Sequence, residues 1–325
     1  MPVDAAAESV IRTHDLRKTF TGRGGAVEAV KGVDLDVKAG EIFGFLGPNG
    51  AGKTTTLRML ATLIPPTSGD ATVAGVDLLR NPARVRERIG YVAQGGGSDP
   101  LMTGRGELVI QARLFGMSRK QAEARATEVL AALGLTEAAR RTTGTYSGGM
   151  RRRLDIGMGM VHQPKLLFLD EPTTGLDPQA RANLWDEVRK LRNNGTTVFL
   201  TTHYLEEADI LCDRVAIIDH GTIVAEGTPI ELKRAIAGDV VTLGIGEHER
   251  VLQLVRGESY VREANDGDAD GLVRLYVDDG DRALPQLLRL LDGAGLSPQT
   301  IALSRPSLDD VFLRKTGRSL RETAA

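Results

Sequence analysis

The chain has 325 residues, 41 % hydrophobic and 26 % charged, with a formal net charge of −2. That length holds about two domains of ordinary globular composition, and the near-neutral balance excludes the global basic field of a nucleic-acid or acidic-lipid binder. One cysteine, Cys212, excludes an internal disulfide and fits a reducing compartment with the thiol packed in a core, and no apolar run approaches the roughly 20 residues that span a bilayer.

The opening M-P-V-D-A-A-A-E-S-V carries acids and lacks the apolar core of a signal peptide. Any membrane part is therefore expected from another polypeptide. Residues 9–46 read as short β segments joined by Gly-rich turns, with a turn at Thr21-Gly22-Arg23-Gly24-Gly25. The strand-like run Glu41-Ile42-Phe43-Gly44-Phe45-Leu46 leads into Gly47-Pro48-Asn49-Gly50-Ala51-Gly52-Lys53-Thr54-Thr55, which fits the phosphate-loop pattern G-x-x-x-x-G-K-[ST]. Glycines let the backbone curl until several N–H groups face one anion. Lys53 can then reach the β- and γ-phosphates, and the Thr54 hydroxyl can ligate Mg²⁺. A helix follows, its positive end toward the phosphates, and it stops before Pro65-Pro66.

Strand-like segments lie near residues 70–74 and 88–93, and residues 95–162 are helical in character. Ser118 and Gln121 have capping-box spacing ahead of a long helix ending near Gly134. Residues 166–169 are a short, wholly apolar run, as a strand buried on both faces of a parallel sheet is, and 197–200 and 214–218 repeat the pattern after a leading Thr197 and Arg214. A helical segment separates the first two, so the domain is α/β. Beyond Gly238 the order is strand (240–245), helix (247–255), strand (260–264), strand (272–277), helix (282–291), strand (299–304). This βαββαβ order is the ferredoxin-like plan, and a last helix starts near Ser307.

Asp170 and Glu171 follow the apolar run 166–169. Acids at a strand end are often only solvated, but a phosphate loop upstream makes Asp170 a magnesium-side acid and Glu171 a candidate general base for water. With these residues assembled, the chain resembles the ATP-binding-cassette family across residues 10–230. Tyr146-Ser147-Gly148-Gly149-Met150 is similar to its signature loop. Leu169-Asp170-Glu171-Pro172-Thr173-Thr174-Gly175-Leu176-Asp177-Pro178 resembles its Walker B segment and D-loop. Leu200-Thr201-Thr202-His203 resembles its switch-histidine loop, and Tyr91-Val92-Ala93-Gln94 its Q-loop.

The resemblance implies a fold and a set of roles. The fold is an α/β P-loop NTPase cassette with a RecA-like core, an antiparallel β subdomain and a helical subdomain (about 95–162). The cassette spans 9–237, and a small α+β accessory domain spans 238–325. Gly47, Asn49, Gly50, Gly52, Lys53 and Thr55 would wrap the phosphates of ATP, and Phe20 would stack on adenine. Thr54, Gln94 and Asp170 would hold Mg²⁺. Glu171, Gln94, His203 and Lys53 would act on the attacking water and the γ-phosphate. In the family the nucleotide lies between two subunits, so Ser147, Gly148 and Gly149 would complete the opposite subunit's site, and Asp177 would report across the same interface.

Met150 stands where the family usually has Gln. Met150-Arg151-Arg152-Arg153-Leu154-Asp155 and the closing Arg305-Pro306-Ser307-Leu308-Asp309-Asp310-Val311-Phe312-Leu313 resemble the daunorubicin-type exporter branch. The implied activity is ATP hydrolysis that energises export of a drug, lipid or other hydrophobic cargo. The implied setting is a homodimer on the cytoplasmic face of a bacterial membrane, under a separate membrane subunit that contacts the helical segment, with no nucleic-acid partner. The alternatives are a cassette acting on ribosomes or DNA, and a regulatory subunit that binds ATP without hydrolysing it; intact Glu171 and His203 oppose the latter. The region after residue 240 is read as serving dimerisation or regulation.

Four lesser signals remain. Arg105-Gly106-Glu107-Leu108 departs from the family's R-E-N-L, so an irregular helix start is expected. Arg151-Arg152-Arg153 reads as a solvated or interface face. Asp266-Gly267-Asp268-Ala269-Asp270-Gly271 is half a calcium loop, but Val277 occupies the twelfth position, so a polar turn is expected. Trp185 is expected on the core side of its helix.

Overall fold

The structure is a computed structural model that describes residues 8–22, 25–236, 238–266, 272–305 and 307–316. The chain divides into two compact units, one running to Gly227 and one starting at Thr228.

The first unit opens with β1 (Ser9–Gly22) and β2 (Gly25–Lys38), two long strands where the sequence suggested short ones. Gly22 pairs with Gly25, and Arg23 and Gly24 of the predicted turn lie outside the described residues. Next come β3 (Ile42–Leu46), α1 (Lys53–Leu60), β4 (Ser68–Val73), β5 (Val76–Asp77), α2 (Pro82–Arg86) and β6 (Ile89–Val92). The helical portion follows as α3 (Gly104–Leu114), α4 (Arg119–Ala132) and α5 (Gly148–Met160). The unit closes with β7 (Leu166–Asp170), α6 (Pro178–Asn193), β8 (Thr197–Thr202), α7 (Leu205–Leu211), β9 (Arg214–Asp219) and β10 (Thr222–Gly227).

A six-stranded sheet has the order β10-β9-β3-β8-β7-β6, parallel except for β10. Strands β3, β7 and β8 are buried along their whole length, consistent with the apolar residues at their centres. A second, antiparallel sheet runs β2-β1-β4-β5. The main core combines residues of both sheets, and the Phe43, Phe45 and Phe168 rings surround Phe199 at 5.5 to 5.7 Å between centroids. Cys212 is buried, as expected; a β-carbon on Gly44 would lie 2.6 Å from its sulfur.

Helix starts follow the local chemistry. Ser118 and Gln121 form the reciprocal capping box of α4. The start of α3 is regular rather than irregular, because the Thr103 side chain accepts the Gly106 N–H at 3.0 Å. No helix among the described residues is long and apolar enough to cross a membrane.

The second unit comprises α8 (Pro229–Ile236), β11 (Asp239–Gly244), α9 (His248–Val255), β12 (Val261–Asp266), β13 (Leu272–Val277), α10 (Gly280–Gly293), β14 (Thr300–Ser304) and α11 (Leu308–Thr316). Its antiparallel sheet is ordered β12-β13-β11-β14, the ferredoxin-like arrangement that the βαββαβ order implies. The sequence reading starts this unit at 238, whereas the compact division starts it at Thr228 because α8 packs on α11. Gly267 to Gly271 of the half calcium loop lie outside the described residues.

Candidate nucleotide-hydrolysing site

The parallel register brings the predicted positions to one edge. Leu46 aligns with Thr202, Asp170 with Thr201, and Val92 with Leu169. The loops leaving β3, β6, β7 and β8 therefore emerge together, where open α/β sheets bind ligands. Those loops carry residues 47–52, Gln94, Glu171 and His203.

The glycine loop is a cradle that side chains would close. A β-carbon on Gly47 would lie 2.3 Å from the Ile218 carbonyl oxygen, and Gly52, at φ 107°, would place one 2.6 Å from that of Ala29. Gly52 is also the N-cap of α1, so the helix's free N–H groups open into the loop. Asn49 and Gly50 are exposed, and Thr54 and Thr55 are half-buried at the helix start.

Lys53, 4 % exposed, donates from Nζ to the carbonyls of Gly47 (2.7 Å) and Pro48 (3.0 Å). Burial draws its ammonium below the ordinary value, against the opposing pull of Glu171 and Asp170. The Thr54 hydroxyl donates to Asp170 Oδ1 at 3.1 Å. Hydroxyl and carboxylate oxygens side by side form a hard donor set that suits Mg²⁺.

Glu171 is the hub. It is 7 % exposed and sits at φ 43°, a left-handed conformation uncommon for a non-glycine residue. Its Oε1 lies 3.4 Å from Lys53 Nζ. Its Oε2 accepts from Gln94 Nε2 (3.0 Å) and Thr174 Oγ1 (3.2 Å), with His203 Nδ1 at 3.1 Å. Burial pushes this carboxyl up, but His203 and Lys53 together outweigh burial and bring it down to about 2. The group is thus a carboxylate at neutral pH, able to accept a proton.

The same shift predicts a stability effect. The folded-state value lies below the ordinary 4.5, so the stabilisation is fully present above that pH and is lost as pH falls toward about 2. The Tm difference between the wild type and Glu171→Gln should therefore hold steady from about pH 7 to 5 and shrink below about 4.5. Thermal melts at stepped pH check this; a difference that widens on acidification contradicts it.

Gln94, Lys53, Thr54, Asp170, Glu171 and His203 are thus joined by direct contacts. The remaining predicted residues stand apart. Ser147 is exposed and N-caps α5, its Oγ accepting the Met150 N–H at 3.3 Å. Gly148 is exposed beside it, Gly149 is half-buried, and Asp177 N-caps α6 through the Ala180 N–H. Among the described residues, no hydrogen bond or ion pair links Ser147, Gly148 or Gly149 to the Lys53–Glu171 cluster. Phe20 is half-exposed on β1, with the Lys18 ammonium 5.2 Å from its ring centroid.

Several residues escaped the sequence reading. Thr201 donates to Asp170 Oδ1 at 2.6 Å and accepts the Glu171 N–H at 3.0 Å. Its place as a polar residue ending a buried strand was the available signal. Arg152 is buried inside its own chain, whereas the arginine run suggested a solvated or interface face; Arg151 is exposed. Trp185 does face the core, and it donates to Glu207 Oε1 at 3.0 Å, one helix after His203. Burial pushes the Glu207 carboxyl up.

Comparison with known proteins identifies the family. A family model described as ABC transporter matches residues 30–174. One described as the C-terminal domain of DrrA1-3-like ATP-binding proteins matches residues 227–316. The daunorubicin resistance ATP-binding protein DrrA2 of Streptomyces coeruleorubidus is 46 % identical, with 97 % of each chain covered. The Nod factor export ATP-binding protein I of Burkholderia orbicola is 40 % identical over 90 % of this chain and 93 % of that one. A dimeric structure of a post-hydrolysis state of an ATP-binding cassette, bound to ADP and Pi, superposes with a TM-score of 0.62 at 25 % identity; it covers 67 % of this chain and 98 % of that one. Sequence and fold together place the chain in the ATP-binding-cassette transporter family, as an ATPase subunit of the kind that hydrolyses ATP to power transport.

Proposed function

We propose that the chain energises export as a homodimer on the cytoplasmic face of a bacterial membrane, beneath a separate membrane subunit. The observation that carries this reading is the Glu171 carboxylate, held ionised between Lys53 and His203 at the mouth of the glycine cradle.

In this reading the ATP phosphates lie against Gly47, Asn49, Gly50, Gly52 and Thr55, with adenine on Phe20. Lys53 turns from its loop carbonyls to the β- and γ-phosphates. Gln94 and His203 orient water and γ-phosphate. The water oxygen attacks the γ-phosphorus, the bond to the β–γ bridging oxygen breaks with its electron pair leaving on ADP, and Glu171 takes the water proton. Thr54, Asp170 and Gln94 would hold Mg²⁺, which neutralises phosphate charge when bound. Ser147, Gly148 and Gly149 of a second copy close over the γ-phosphate, and Asp177 meets the same boundary. Closure then depends on an anion that hydrolysis removes, so the dimer interface is the two-state element that moves a partner. No role for nucleic acid enters.

The dimeric cassette holding ADP and Pi supports the paired arrangement. The helical portion supports the membrane partner: Leu101, ahead of α3, is 84 % exposed and Leu114, its last residue, 76 %, so each presents an apolar side chain to a partner. The named relatives concern daunorubicin resistance and Nod factor export, which supports a drug, lipid or other hydrophobic cargo handled by that partner.

The full chain should co-purify from native membranes with a multispanning protein. The double substitution Leu101→Asp/Leu114→Asp should cut that recovery by about tenfold or more while the soluble chain still binds ATP. Recovery with ribosomes or DNA instead would overturn the transport reading.

A further inference from the structure

We infer that Arg152 is a positioning residue of the hydrolytic site, tying the helix that starts at Ser147 to the loops that hold Gln94 and Glu171. The inference rests on the roles proposed above for those two residues.

Arg152 lies just over one turn into α5, whose N-cap is Ser147. Its guanidinium is 6 % exposed and spends its donors on three backbone carbonyls. Nε reaches Pro172 at 2.7 Å, Nη2 reaches Asp170 at 3.0 Å, and Nη1 reaches Ala93 at 2.7 Å. Two of those carbonyls flank Glu171 in sequence, and the third belongs to the residue before Gln94. The Gln94–Glu171 hydrogen bond then closes a ring through Arg152.

One turn further along α5, Asp155 grips the other end of the same loop. Its Oδ1 accepts the N–H groups of Gly97 (3.1 Å) and Ser98 (3.2 Å). Gly96, at φ 76°, passes so close that a β-carbon there would lie 2.6 Å from Asp155 Oδ2. One helix thus holds the Gln94 loop on both sides, by carbonyl and by amide.

The chemistry argues for position rather than packing. Burial draws the Arg152 guanidinium below its ordinary value, with Asp155, Asp170 and Glu207 pulling the other way. A buried cation is a costly way to fill space, and an apolar side chain of similar volume does that at least as well. What the planar fork adds is fixed direction toward several acceptors at once. A displacement of Ser147 on dimer closure would therefore reach the Gln94 amide and the Glu171 backbone through one rigid side chain.

The test uses the full chain with steady-state hydrolysis, ATP binding and thermal melting. Arg152→Gln should lower kcat by about 10- to 100-fold, the scale of a small misplacement of reacting groups, with KM for ATP within about threefold. Arg152→Lys keeps the charge without the fork and should recover only part of kcat. Adding Gln94→Ala to Arg152→Gln should cost no more than the worse single change, because both act through one contact. The inference is overturned if either Arg152 variant keeps kcat within about twofold of wild type. It is equally overturned if kcat, KM and Tm decline together with additive effects of Gln94→Ala, which marks a purely structural role. Glu171→Gln separates the premises: if that variant still turns over, the Glu171 assignment fails, and if it is dead while Arg152→Gln is fully active, only the coupling fails.

Discussion

Glu171→Gln is expected to stop multiple-turnover hydrolysis, with kcat falling about 10²- to 10⁴-fold, the usual contribution of a positioned general base. The amide preserves shape and can still meet Gln94, Thr174 and His203, but it cannot take a proton from water. ATP binding should persist within about threefold, because the glycine cradle and the Lys53 contacts with Gly47 and Pro48 do not involve Glu171. The change also takes the countercharge from a buried ammonium. Breaking a buried ion pair in this way costs about 3–5 kcal/mol, and here Asp170 offsets part of it. Phosphate release and equilibrium nucleotide binding, measured on a variant whose melt remains cooperative, separate the two effects. Turnover above about a tenth of wild type would mean that Glu171 is not the base.

Ser147→Arg should be nearly as damaging by a different route. Within its own chain, Ser147 does no more than cap α5 through the Met150 N–H. Losing that cap costs about 0.5–2 kcal/mol and leaves the Lys53–Glu171 cluster intact. If Ser147 served only its own helix, hydrolysis would barely change. In the proposed paired site its hydroxyl would face the other copy's γ-phosphate, and losing one such donor costs about 10²- to 10³-fold in kcat. The bulk of arginine would also block the one site that its own loop faces, leaving the other site of a dimer free to form. ATP affinity of the single chain should stay within about threefold, so the effect appears in kcat. Ser147→Ala, which removes cap and hydroxyl without added bulk, should fall between wild type and Ser147→Arg.

The sequence was most legible where chemistry is local and patterned. Short, largely apolar runs announced β7, β8 and β9, and the strand before the glycine loop announced β3. The capping residues of α4 were equally plain. The second unit's strand and helix order implied its sheet order, because βαββαβ has a preferred winding. Lys53, Thr54, Asp170 and Glu171 stood out by their local patterns, and Gln94 and His203 only through the family resemblance; direct contacts join all six.

What remained hidden depends on tertiary neighbours. Thr201 became part of the site only through the parallel register that sets it beside Asp170. In the Arg151-Arg152-Arg153 run, composition suggests one solvated or interface face, but helical geometry sends successive side chains about 100° apart. Arg152 was turned inward and Arg151 outward. Thr103 gave α3 a regular start despite the unusual residues after it. The link from Trp185 to Glu207 joins two helices that no local pattern relates.

The most direct test of the shared site mixes the two inactive variants. When Glu171→Gln and Ser147→Arg chains are combined in equal amounts, half of the dimers are mixed. Each mixed dimer holds one site built from an intact Glu171 of one copy and an intact Ser147 of the other. Hydrolysis should reappear on mixing, up to about a quarter of the wild-type rate if the sites act independently. A mixture as inactive as its two components would contradict a site completed by a second copy.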